Sequence, residues 1–95
     1  MLYMVIEHYP SGPEPVYRRA AKRGRMLPAG LTYVDSWVTG DDRCFQLMET
    51  ENRHLFESWV AAWADLCDFE IVPVVTSAVA AARSVRGQVP AGPDR

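Results

Sequence analysis

The stretch YVDSWVTGDDRCFQL, residues 33–47, decides the fold. Two runs rich in β-branched and aromatic residues meet at the turn signal Thr39-Gly40-Asp41-Asp42, so the stretch reads as a β-hairpin. Polar residues interrupt its apolar side chains: Asp35 and Ser36 in the first strand, Gln46 in the second. A polar group in such a place lines a site, meets water or a partner, or is a satisfied interior group. A two-residue loop at Gly40-Asp41 sets Asp35 opposite Gln46. A three-residue loop sets Ser36 opposite Gln46 and turns the second strand over, because side chains alternate with a period of two. The residues admit both registers.

Outward from the hairpin, LYMVIEHY (2–9) has the composition of a strand. Met4, Ile6 and His8 share one face; Tyr3, Val5, Glu7 and Tyr9 share the other. Both faces are largely apolar, as a central strand requires. PSGPEP (10–15) breaks the chain, and Pro15 suits the first turn of a helix over about 14–25. Val16, Ala20 and Gly24 form its apolar stripe. After the hairpin, Asn52 is a candidate N-cap for a helix over 53–67 whose stripe is Leu55, Trp59, Ala62, Trp63 and Leu66. EIVPVV (70–75) is a fourth strand. Pro73 cannot donate to a ladder, which places that strand at a sheet edge. TSAVAAARSVRG (76–87) has the cap, the alanines and the terminal glycine of a short last helix.

The order strand, helix, strand, strand, helix, strand is the split βαβ, or ferredoxin-like, α+β pattern. It carries strand order 4-1-3-2 and both helices on one sheet face. Strand one is then central and strand four lies at an edge, as their residues demand. Ninety-five residues make a single domain, expected over 1–86, with 87–95 (GQVPAGPDR) expected as a disordered tail. The uncovered sheet face would hold part of the set Tyr3, Val5, Tyr9, Tyr33, Trp37 and Val74, too much apolar surface for a monomer. A homodimer closed by a two-fold axis is the expected solution.

Composition narrows the function. At 48% apolar and 23% charged residues the chain is an ordinary globular one, with no run long enough to span a membrane. The start lacks the basic region and cleavage site of a signal peptide. Two cysteines, Cys44 and Cys67, then read as reduced thiols in a cytoplasmic protein, and no metal-ligand spacing links them to His8 and His54. Residues 14–27 carry five basic side chains against Glu14, whereas residues 35–70 carry nine acids against Arg43 and Arg53. The basic helix reads as a solvated face, because no exposed aromatics interleave its cations as nucleic-acid binding would want.

The segments MLYMVIEHY, VYRR…GRMLPAGLTYVDSWV, RCFQLMET and WADLCDFEIVPVVTS closely resemble the domain-of-unknown-function 3303 family of small bacterial proteins, over residues 1 to about 83. The resemblance implies a ferredoxin-like fold of the dimeric α/β-barrel superfamily and no established activity. Members of that wider superfamily often hold a small apolar molecule between sheet and helices, some of them with cofactor-free chemistry.

The expected reading is therefore a homodimer whose protomers each hold a small, mostly apolar organic molecule between sheet and helices, without metal or cofactor. His8 is the candidate general base, since only a histidine titrates near neutrality unperturbed. Its other reading is a strand-end histidine bonded to backbone or water. Tyr33, Asp35, Trp37, Gln46, Glu49, Trp59 and Trp63 are the candidate ligand contacts. Asp35, Glu49 and Glu7, if interior, need cationic or N–H partners and equally suit an interface. A non-catalytic interaction dimer is the rival reading. Anion or nucleic-acid binding through Arg18, Arg19, Lys22 and Arg23 is the third.

Overall fold

A computed structural model describes residues 1–87. The elements are β1 (Leu2–His8), α1 (Glu14–Arg23), β2 (Thr32–Val38), β3 (Arg43–Glu49), α2 (Leu55–Trp63), β4 (Asp68–Val74) and α3 (Ser77–Gly87). The strands form one antiparallel sheet in the order β2-β3-β1-β4, which is the ferredoxin-like arrangement. Pro73 sits in the edge strand β4, where its missing N–H breaks no ladder. Of the tail expected over 87–95, Gly87 ends α3 and residues 88–95 lie outside the described residues.

The hairpin takes the three-residue loop. Thr39 N–H bonds Arg43 C=O at 2.8 Å, and Ser36 stands opposite Gln46. Asp42 closes the loop with φ +63°, the left-handed residue that such loops need. A bulge at Val34 then shifts the register: Asp35 pairs with Leu47, but Tyr33 pairs with Met48. One extra residue reverses the alternation. Tyr33 and Ser36 consequently face the same side of the sheet.

That side is the helix side. Tyr3, Val5, Glu7 and Tyr9 of and after β1 are buried there, with Cys44, Gln46 and Met48 of β3. Val16 of α1 and Phe56, Trp59 and Trp63 of α2 close the core from above. Tyr3 meets Phe56 edge-on at 5.1 Å between ring centroids, and Trp59 meets Phe69 at 5.5 Å. Of the residues considered for the open face, Tyr3, Val5, Tyr9 and Tyr33 therefore belong to the covered one; only Trp37 and Val74 face away. The open face is instead carried by Met4, Ile6, Phe45, Leu47 and Val72 beside them.

Both helices end sooner than their apolar stripes imply. Gly24 turns left-handed at φ +66° and donates its N–H to Ala20 C=O, which stops α1 at Arg23. Asn52 caps a preceding turn rather than α2 itself: its Oδ1 accepts from His54 N–H, and i→i+3 bonds run from residues 52–54 before the helix begins. Gly30, at φ +94°, lies so close to Leu55 that a Cβ there would stand 3.0 Å from its Cδ1. In α3, residues 77–83 are all exposed.

Candidate functional site

Between the sheet and the two helices lies a cavity of about 190 Å³. Its floor is Glu7, Tyr9, Cys44 and Gln46. Its walls are Val16 and Ala20 from α1 and Trp59 and Trp63 from α2, and its rim is Tyr17, Gly24, Arg25, Ser36 and Val38. The floor comes from the period of two on β1 and β3, which sends Glu7 and Gln46 to the helix side together with their apolar neighbours.

Glu7 is 6% exposed and lines the cavity. Tyr9 Oη donates to its Oε1 at 3.1 Å and Gln46 Nε2 to its Oε2 at 2.8 Å. Arg25 Nε in turn donates to Gln46 Oε1 at 3.0 Å. Burial pushes the Glu7 pKa up, and the bonds from Tyr9 and Gln46 and the charge of Arg25 only partly restrain it. Glu7 and burial also push up the Tyr9 hydroxyl, which stays a neutral donor. Cys44 and Cys67 are pushed up in the same way, Cys67 to about 12, so neither is a thiolate at neutral pH.

Arg25 organises the rim. Its guanidinium lies 3.5 Å from the centre of the Tyr33 ring, and Tyr33 Oη is bonded to Ser36 Oγ at 2.8 Å. Its backbone carbonyl accepts both indole N–H groups, from Trp59 at 2.9 Å and Trp63 at 3.0 Å. Positive φ on both flanks, at Gly24 and at Met26 (φ +58°), aims that carbonyl at α2 while the side chain reaches β3. A left-handed non-glycine costs on the order of 1–3 kcal/mol, and such residues gather where a site demands a special backbone. Among the described residues, the two terminal nitrogens of Arg25 have no hydrogen-bond or ion-pair partner within the protein.

The candidate ligand contacts divide. Gln46, Trp59 and Trp63 line the cavity, and Tyr33 supports its rim from beneath Arg25. Asp35, Trp37 and Glu49 face the opposite way: Asp35 accepts from Ser36 N–H, Trp37 is 53% exposed, and Glu49 lies 3.9 Å from the N-terminus. His8 also belongs to the open face, exposed and 4.0 Å from Asp68. The pleat decides this: His8 and Glu7 are neighbours in sequence, so they cannot share a face. Arg25 carried no periodicity or motif that would single it out. Glu7 was marked only by a charge set between Val5 and Tyr9. In α1, Arg18 is paired with Glu14 and Arg19 doubly with Asp65, so two of its four cations are engaged within the protein. No group of three or more metal-binding side chains occurs among the described residues, and no described helix is long and apolar enough to cross a membrane.

The arrangement has a measurable signature in stability. A carboxyl whose folded pKa is raised holds its proton longer in the native state than in the unfolded one. Stability from Glu7 is thus present below its ordinary value of 4.5 and is lost as pH rises through the folded value. Tyr9, Gln46, Cys44, Arg25 and Cys67 surround it, and the two hydrogen bonds and the Arg25 charge only partly offset the lost water. Glu7→Gln removes the charge, and its amide can accept from Gln46 and donate to Tyr9 Oη. It should raise the melting temperature at pH 8 by roughly 4–8 °C, about 1 kcal/mol. The difference from wild type should shrink to nothing near pH 4. A carboxylate serving only to hold the fold gives a loss at pH 8 instead.

The site thus defines a small α+β protein with a half-open apolar cavity, a buried carboxylate in its floor and a guanidinium at its rim. The chain belongs to the DUF3303 family, described as a domain of unknown function, whose model matches residues 1–88. No curated protein and no solved structure matches it.

Proposed function

We propose that this protein binds a small, mostly apolar organic molecule in the cavity between sheet and helices and acts on it by acid–base chemistry without a cofactor. The acid–base role falls to Glu7 rather than His8. One observation carries this reading: an almost fully buried carboxylate in the floor of an apolar cavity that opens to solvent. A buried carboxylate is costly, and it is found where its raised basicity is used. The size fits one ring with small substituents, since a dry cavity of about 150 Å³ holds one benzene.

Two copies packed through their open sheet faces complete the proposal. Trp37 is more than half exposed, and Met4, Ile6, Phe45 and Leu47 extend the same apolar surface across the central strands. That surface also supports the rival reading, a dimer that binds no small molecule. Native mass spectrometry after incubation with a cell metabolite extract separates the two. Wild type should retain a small-molecule mass, and Ala20→Phe, which fills the cavity from α1, should not. Equal retention by both, or none by wild type, leaves only the rival.

A further inference from the structure

Resting on that reading, we propose that the bound molecule is a neutral, one-ring carbonyl compound with a hydrogen on the carbon beside the carbonyl, and that the protein moves this hydrogen. The substrate class follows from charge. With Glu7 ionised, as a base must be, the cavity holds one anion and one cation, Arg25, linked through Gln46. A bound anion would add a second negative charge beside a desolvated carboxylate. A bound cation would face the guanidinium. A neutral molecule avoids both, and after it gives up a proton the cavity still holds one negative and one positive charge. Low-dielectric surroundings favour a reaction that keeps that balance.

The reaction class follows from the groups present. The Cys44 thiol and Tyr9 hydroxyl are held protonated, so covalent attack has no activated nucleophile here. What remains is a base and an electrophile. The bonds from Tyr9 and Gln46 use one lone pair on each Glu7 oxygen and leave others free. Glu7 takes the proton from the carbon. The C–H electron pair becomes the new C=C bond, and the carbonyl π pair moves onto oxygen. The terminal N–H groups of Arg25, which lack an acceptor among the described residues, bond to that oxygen. Glu7 then returns the proton to the same carbon or to a conjugated one. Return to the same carbon leaves the substrate exchanged or epimerised, return to a conjugated carbon gives its double-bond isomer, and no other reactant is consumed. Stacking on Tyr33 and the bond to Gln46 fix the guanidinium before the charge develops, which is what makes such a donor effective.

The experiment uses cyclohexanone, acetophenone and 3-cyclohexen-1-one with the full-length protein. Proton NMR in deuterium oxide reads exchange beside the carbonyl, ultraviolet absorbance reads conversion of the enone, and tryptophan fluorescence reads binding. At least one probe should exchange about 100-fold or more faster with wild type than with Glu7→Gln. Arg25→Met should lower exchange about 100-fold while changing probe affinity less than tenfold. Glu7→Asp, which keeps the carboxylate but withdraws it, should retain part of the rate; it also guards against a Glu7→Gln variant that fails to fold. Equal exchange in Glu7→Gln and wild type overturns the proposal. So does binding without exchange, which leaves the cavity reading intact. If no probe binds while the metabolite extract still yields a retained mass, the carbonyl class is wrong and the cavity reading stands. If neither occurs, both fail.

Discussion

Trp59→Ala should lower the melting temperature by at least about 12 °C, the largest effect expected of any single truncation in the cavity wall. Trp59 is 2% exposed, stands edge-on to Phe56 and Phe69, and donates its indole N–H to Arg25 C=O. Emptying such a site costs roughly 3–5 kcal/mol, a large share of the 5–15 kcal/mol that holds a typical domain together. The same change releases half of the anchor on the Arg25 carbonyl, so the rim should loosen as well. Trp59→Phe separates the two contributions: it keeps most of the packing and should cost only about 1 kcal/mol for the lost hydrogen bond. Thermal melts by circular dichroism read both. A Trp59→Ala variant that melts within a few degrees of wild type would mean that α2 is not the roof of the core.

Leu47→Lys should convert the proposed dimer to a folded monomer. Leu47 lies on the open face, with Met4 and Asp35 as its cross-strand neighbours. In one chain the new ammonium stands beside Asp35, a pairing that sheets tolerate or weakly favour. In a two-fold interface the charge appears twice and displaces apolar contact each time. At several kcal/mol for each charge desolvated without a partner, the dissociation constant should rise about 1,000-fold or more. Analytical ultracentrifugation over micromolar concentrations measures it, with circular dichroism to show that the monomer is folded. Wild type sedimenting at 10.7 kDa in that range would remove the second copy from the proposal.

The two experiments probe opposite faces of one sheet, and the sequence shows why those faces were hard to tell apart. In and just after β1 the sets Tyr3-Val5-Glu7-Tyr9 and Met4-Ile6-His8 are both mostly apolar, with Glu7 in one and His8 in the other. Alternation separates the sets but carries no label for the side the helices take. Packing supplies it. Tyr3 and Tyr9 find aromatic partners on the helices, and Glu7 finds donors in Tyr9 and Gln46. A histidine at the end of the other set finds Asp68 and water. His8 attracts attention as a base by its residue type alone, whereas Glu7 becomes a stronger base only because folding takes its water away.

Element order, strand type, the edge position forced by Pro73 and the central position of β1 are local properties of the chain, and local residues determine them. Backbone chemistry and side-chain periodicity act over a few residues, so they are legible wherever they occur. The site is not of that kind. Arg25 reaches Gln46 across 21 positions and Trp63 across 38, and both contacts depend on the left-handed turns at Gly24 and Met26. Tyr33 lies under Arg25 only because one extra residue at Val34 reverses the pleat. A bulge arises where competing packing on two faces outweighs a regular ladder, and that competition exists only once the sheet and helices have met.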